Sequence, residues 1–371
     1  MLTVADIFRS HAAAYLARFG ARVPPSHLRA IADIVACRTE AMGGVLLACD
    51  DCGRHRTVLH SCRNRACPQC HAQQTVRWIA ARAAELLPVT FHHVIFTVPW
   101  QLREVARRHQ RAVLGALMRA AAESLQTLAG DPRFGGGRLA VLAVLHTWSG
   151  TLLWHPHVHC LVPGLVVRAD RTWRRTHGGF LVPVGALSRI VAAKFARLVR
   201  RELPDVRLPE ALFDRPWNVY TRPCFEGPAN VLRYLAQYVF RGPMDNRRIL
   251  GIDHGRYVLQ YRDNDTRRLD TVRLEPHEFM RRYLQHTLPR GLHRVRYFGW
   301  WGPSCRPTLR GLQLQLGSGL AELTETLAAQ ARRLQAAAAA VRCPYCGSPR
   351  SHFVGRRLRD RPPASCSRAP P

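Results

Sequence analysis

Three histidines recur at every second position in residues 154–164, WHPHVHCLVPG: His155, His157 and His159. An extended strand turns side chains i and i+2 to one face, so His157 and His159 aim their imidazoles at a common point, which is metal-site geometry. Strand alternation alone also yields histidines on a wet face, so the pair gains meaning only from its surroundings. Pro156 disturbs the strand beside His155 and makes it the weaker donor. The preceding segment LAVLAVLHTW, residues 139–148, reads as a partner strand. A hairpin turn centred between Thr151 and Leu152 sets His146 opposite His157 on the same face, and a slip of one residue turns it away.

A second constellation is made of thiols. Six of the twelve cysteines fall between Cys37 and Cys70, and no secretion signal precedes them, which points to metal rather than disulfides. Cys49 and Cys52 form one CxxC, Cys67 and Cys70 another, with 14 residues between the pairs. Paired knuckles of this kind bring four thiolates around Zn2+, and Gly53 and Pro68 allow the tight turns. Cys62, His55, His60 and His71 are spare donors, Cys62 being the substitute of choice. Cys343 and Cys346 form a further, isolated knuckle whose only later donors are His352 and Cys366. Arg63 and Arg65, with Arg54 and Arg56, make the first knuckle region basic, as a DNA-facing module or as a solvated face.

The third constellation lies in GPANVLRYLAQYVFRGP, residues 227–243, which proline and glycine bracket as a helix. Tyr234 and Tyr238 are i and i+4 on one face, with Arg233 and Arg241 beside them. Alone, such a pair is ordinary packing.

The elements around these residues read as mixed α and β. Residues 1–48 suggest two helices broken at Pro24 and Pro25. FHHVIFTVPW, residues 91–100, is a buried strand in which His93 shares a face with Phe91 and Ile95, and His92 with Val94 and Phe96. Lying among apolar residues, His92 and His93 read as core or edge histidines. Residues 101–129 are helical and end at GDPRFGGG. Trp300 and Trp301 suit either stacking on bases or filling a core. An alanine-rich helix and an arginine- and proline-rich tail close the chain.

Composition narrows the partners. The chain of 371 residues is 47% apolar, ample for packed cores, and carries a formal charge of +30. Lys194 is the single lysine, so the other 54 of the 55 cationic side chains are arginine. Arginine grips phosphate with a bidentate fork, and a field of this sign favours a polyanion such as nucleic acid. No apolar run reaches the length of a membrane span, and the expected location is the cytoplasm, at the nucleoid when bound to DNA.

Histidine pair, tyrosine pair, cysteine knuckle and positive charge fit one chemistry, metal-assisted cleavage of single-stranded DNA. A divalent ion held by His157, His159 and a third group polarises the scissile phosphate, and tyrosine attacks it. A zinc-finger regulator without catalysis, or a metal-dependent nuclease that activates water, are the alternatives.

The chain resembles the two-tyrosine rolling-circle transposases of the insertion sequence 91 type, within the HUH endonuclease superfamily. The matching residues, in order, are CDDCG, SCRNRACPQC, FHHVIFTVP, VLHTW, HPHVHCLVPG, YLAQY and FMRRYLQHTLPRGLHRVRYFG. The resemblance implies an α+β fold: an antiparallel β-sheet nuclease core flanked by helices, preceded by a helical, zinc-knuckle domain. It implies divisions at residues 1–88, 89–300 and 301–371, the last a helical extension with a basic tail. It further implies that His157 and His159 ligate Mg2+ or Mn2+, and that Tyr234 and Tyr238 are the nucleophiles. The third ligand is open among Gln237, His146 and His155. The implied partners are single-stranded DNA at element ends and target DNA, contacted by Arg63, Arg65, Arg233 and Arg241.

Overall fold

The computed structural model describes residues 2–176, 181–223, 242–263, 266, 268–317, 332 and 342–359. Its architecture is mixed α+β with antiparallel sheets. The chain divides into two units, one from Met1–Val76, Gly242–Thr287 and Arg332–Pro371, the other from Arg77–Arg241 and Leu288–Ala331. Residues 242–287 and 332–371, expected within the second and third divisions of the sequence, thus group with the N-terminal one.

The first unit opens with helix α1 (Val4–Phe19). Thr3 and Asp6 close a capping box at its start, each side chain taking the other's backbone N–H, at 3.2 and 3.0 Å. Helix α2 (Pro25–Ala36) begins with proline in its first turn, where no N–H is needed. Strands β1 (Gly44–Cys49) and β2 (His55–Leu59) form a hairpin, and β13 (Ser351–Arg357) pairs with the other edge of β1. Strands β9 (Ile249–Asp253), β10 (Arg256–Arg262) and β11 (Leu269–Leu274) make a separate meander. Helix α7 (Pro276–Leu284) packs on α1, with Phe8 edge-on to Tyr283 at 5.5 Å.

The second unit is built on five strands in the order β12-β4-β5-β3-β8, every pair antiparallel. They are β3 (Phe91–Thr97), β4 (Ala140–Trp148), β5 (Trp154–Pro163), β8 (Val219–Pro223) and β12 (Val295–Gly299). Strand β4 is buried along nearly all its length, as a continuous apolar run in a covered sheet requires.

Alternation sorts the two faces. Val94, Phe96, Val141, Ala143, Leu145, Val158 and Cys160 meet α5 (Gln110–Ala129) and α6 (Val184–Glu202) in the larger core. On the opposite face Phe91, Leu142, Val144 and Leu161 pack with Trp300, Trp301, Leu309 and Leu312, the last two on α8 (Arg306–Leu316). Trp300 and Trp301 are therefore core residues, only 3% and 5% exposed. His93, His146, His157 and His159 continue the rows of this second face. Helix α3 (Ala72–Ala83), helix α4 (Arg103–Arg108) and the short pair β6 (Leu165–Val167) and β7 (Trp173–Arg175) complete the described elements. Among the described residues no helix is long and apolar enough to cross a membrane.

Candidate metal centres

Cysteines meet in two groups of four. Cys37, Cys62, Cys67 and Cys70 form one, Cys49, Cys52, Cys343 and Cys346 the other, with the sulfurs of each group within 4.8 Å of one another. Sγ···Sγ separations are 3.7 Å for Cys37–Cys70 and 3.6 Å for Cys62–Cys70, Cys49–Cys346 and Cys52–Cys343. A disulfide needs about 2.05 Å. A zinc tetrahedron with Zn–S bonds of about 2.3 Å has edges of about 3.8 Å. The sulfurs are therefore spaced for a tetrahedral metal and not for oxidation to one another.

This corrects the ligand set expected from the sequence. Cys49, Cys52, Cys67 and Cys70 do not form one tetrad, because the β1–β2 turn carries Cys49 and Cys52 to the knuckle that precedes β13. Cys67 and Cys70 instead meet Cys62 and Cys37, the residue that ends α2. Cys37 escaped the sequence reading since it belongs to no CxxC, and only its place at the head of the cysteine-rich stretch could have flagged it. Cys343 and Cys346 find their partners upstream, where a search for later donors could not look. His352 instead bonds Asp50 at 2.6 Å, His71 bonds the Asn64 carbonyl at 2.8 Å, and Cys366 lies outside the described residues.

In the first group hydrogen bonds from Cys62 and Cys67 pull Cys37 down to about 7. The same network pushes Cys62 and Cys67 up, chiefly through their bonds with Cys37. The thiols share protons rather than all ionising, and a dication is what lets four thiolates coexist. The loop that carries them is pinned by Asn64 donating to Asp33 at 2.8 Å, by Gln69 donating to Thr3 at 3.2 Å and by the Tyr283 hydroxyl donating to the Ala66 carbonyl. Arg63 and Arg65 are exposed on that loop.

The histidine cluster comprises His146, His157 and His159. The β4–β5 register sets His146 directly opposite His157, and a bulge follows between His146 and Trp148. Ring centroids lie 4.4 Å apart for His146–His159, 4.8 Å for His157–His159 and 5.4 Å for His146–His157. Trp148 stacks on His146 at 4.5 Å and carries the Arg294 guanidinium at 5.3 Å on its ring.

The Nδ1 atoms of two of these rings are already engaged. His157 Nδ1 lies 2.7 Å from the His155 carbonyl oxygen, so it carries the proton and donates. His159 Nδ1 lies 2.7 Å from His93 Nε2 across the sheet. The nitrogen of each ring that would face a metal is therefore Nε2, the arrangement in which outer partners fix tautomer and orientation. Burial pushes His157 down to about 4 and His159 well below its ordinary value, and burial with the nearby Arg222 takes His93 to about 3. All three are neutral at pH 7, the form in which imidazole ligates.

His155 stays outside the cluster, its contribution being the carbonyl that orients His157. His93 is buried, as a core histidine should be, yet it also supports the cluster, which strand pairing and not composition reveals. Tyr234, Gln237, Tyr238, Arg233 and Arg241 lie outside the described residues.

Two cysteine tetrads in the first unit and, in the second, a cluster of His146, His157 and His159 mark a mixed α+β protein with a zinc-binding domain. The family model described as "Transposase zinc-binding domain" matches residues 7–98, and one described as "Putative transposase" matches residues 140–308. The chain is 38% identical over 321 residues to "Putative transposase y4qJ" of Sinorhizobium fredii (strain NBRC 101917 / NGR234), covering 81% of this chain and 80% of that protein. It is 25% identical over 286 residues to "Transposase for insertion sequence element IS801" of Pseudomonas savastanoi pv. phaseolicola, covering 73% and 69%. No solved structure matches the chain. The protein belongs to the insertion sequence 91 family of transposases.

Proposed function

We propose that this transposase nicks and rejoins single-stranded DNA at the ends of its mobile element, in rolling-circle-type transposition through phosphotyrosine links. The observation that carries the reading is the cluster of His146, His157 and His159, in which burial holds His157 and His159 below their ordinary pKa and so in the neutral, ligating form. These three residues hold a divalent ion, with His146 as the third ligand in place of Gln237 or His155. When Mg2+ or Mn2+ is bound there, the scissile phosphate is polarised and its developing charge is offset. Of the two ions Mn2+ is the closer match to an all-imidazole set, because Mg2+ prefers oxygen donors.

Tyr234 and Tyr238 are the nucleophiles. A phenol with an ordinary pKa of about 10 must lose its proton to attack at neutral pH, and surrounding positive charge favours that loss. Tyrosine oxygen bonds to phosphorus as the strand's own P–O bond breaks, leaving a free hydroxyl on the departing end. The reverse exchange, with a hydroxyl of target DNA as the attacking group, releases tyrosine and joins the strands without ATP. Arg63, Arg65, Arg233 and Arg241 hold phosphates along the path. The chemistry belongs to residues 89–300, and the zinc-binding region supplies contacts to DNA at the nucleoid.

Labelled single-stranded DNA from an element end, incubated with the protein and Mn2+, should yield a covalent adduct that the double variant Tyr234→Phe, Tyr238→Phe cannot form. Cleavage that survives in that variant would instead make water the nucleophile, and a protein inert with every metal tested would be a DNA-binding regulator.

A further inference from the structure

The second cysteine tetrad joins residues almost 300 positions apart, and half of it lies beyond the matched zinc-binding region, residues 7–98. Its two halves have one local construction. Cys49-Asp50-Asp51-Cys52-Gly53 and Cys343-Pro344-Tyr345-Cys346-Gly347 are both CxxCG. In each, the glycine N–H donates to the carbonyl of the first cysteine at 2.9 Å. In each, the first cysteine's N–H donates to the carbonyl five residues on, Cys49 to Arg54 at 3.0 Å and Cys343 to Ser348 at 2.8 Å. Both glycines are left-handed, with φ of +67° and +76°, a conformation that lets the chain turn back beneath its thiols. Two knuckles of one design, face to face, are how a closed four-thiolate site is assembled.

The knuckles also hold each other without metal. Asp50 meets His352 at 2.6 Å, Asp51 pairs with Arg350, Arg54 lies over the Tyr345 ring at 4.8 Å, and Arg56 donates to Ser351 at 3.1 Å. Behind them β13 runs antiparallel along β1 from Gly44↔Arg357 to Cys49↔Ser351. Register and side chains thus deliver Cys343 and Cys346 to Cys49 and Cys52. Four thiolates around a dication leave a net charge of −2, and Arg54, Arg56, Arg342 and Arg350 lie on these same segments to offset it.

We infer that Cys49, Cys52, Cys343 and Cys346 bind a structural Zn2+ of their own, so that the chain carries two zinc ions and the second fastens the C-terminal segment to the N-terminal hairpin. The inference stands apart from the DNA chemistry, since neither knuckle contributes to the histidine cluster.

Metal content of the full-length protein, measured by elemental analysis and native mass spectrometry, should be two zinc ions per chain. The double variants Cys49→Ser, Cys52→Ser and Cys343→Ser, Cys346→Ser should each hold one, and the quadruple variant should still hold one. One zinc in the parent chain, or two in the Cys343→Ser, Cys346→Ser variant, overturns the inference. A second reading needs no variant. Cys346 is exposed, yet as a zinc thiolate it should resist iodoacetamide until a chelator is added. Alkylation of Cys346 in the zinc-loaded parent at the rate of a free surface thiol overturns it equally.

Discussion

The hydrogen bond between His93 and His159 fixes more than a position. For His159 to present Nε2 to a metal, its Nδ1 must carry the proton and donate to His93 Nε2, which makes His93 the Nδ1–H tautomer. His93 is thus a positioning residue. His93→Ala should weaken Mn2+ binding by about 10- to 100-fold, the usual effect of losing an outer partner of a metal ligand. His93→Asn, whose side-chain oxygen can accept from His159, should recover part of it. Calorimetric titration with Mn2+ reads both, and equal affinity in parent and alanine variant would remove His93 from the site. At this scale the sequence was legible where donors alternate along one strand, as with His157 and His159. It was opaque for His93 and Cys37, whose meaning comes from a neighbour 66 positions away in one case and 25 or more in the other.

Strands set what each side chain can reach, and their failures should be specific. Strand β12 ends at Gly299, whose φ is +64° and whose missing Cβ would collide with the Leu139 carbonyl. Gly299→Ala meets both a left-handed backbone and that carbonyl, so a loss of at least about 2 kcal/mol is expected, read as a lower urea midpoint. An unchanged midpoint would mean the β12 edge can shift freely. Strand β3 makes a pH prediction through His92, 2% exposed and pushed down to about 4 by burial. An unfolded histidine titrates near 6.5, so between pH 6.5 and 4 the unfolded chain binds more protons and stability falls as pH falls. At pH 5 this amounts to about 2 kcal/mol, absent at pH 7.5. His92→Gln should therefore lose less stability than the parent between pH 7.5 and 5, whereas an equal loss would show that His92 charges in place. Strand β3 and the hairpin that pairs His146 with His157 are readable from alternation, because a slip would turn the wrong residues to the core, whereas β12 lies in a stretch where arginines mixed with aromatics mask its pattern.

The molecule as a whole is assembled in a way that no local pattern announces. The N-terminal unit takes three separate lengths of chain, so the partners of Cys343 and Cys346 lie far upstream and not in the sequence that follows them. A lone CxxC records only that a half-site exists, and pairing of β1 with β13 supplies the other half. The formal charge of +30 needs no fold to interpret, and it sets the last expectation. Arginine contacts to a single strand release condensed counterions, so log affinity should fall linearly with log salt, by about 0.7 for each phosphate neutralised. Arg63 and Arg65 are exposed on the loop of the first tetrad, where a phosphate can meet them without disturbing the thiols. Arg63→Ala, Arg65→Ala should weaken binding similarly on every single-stranded sequence and flatten the slope by about 1.4 if both touch phosphate. Fluorescence anisotropy across a salt series measures it. A slope equal to that of the parent would leave these two arginines as a solvated face and move the strand's path to other arginines of the chain.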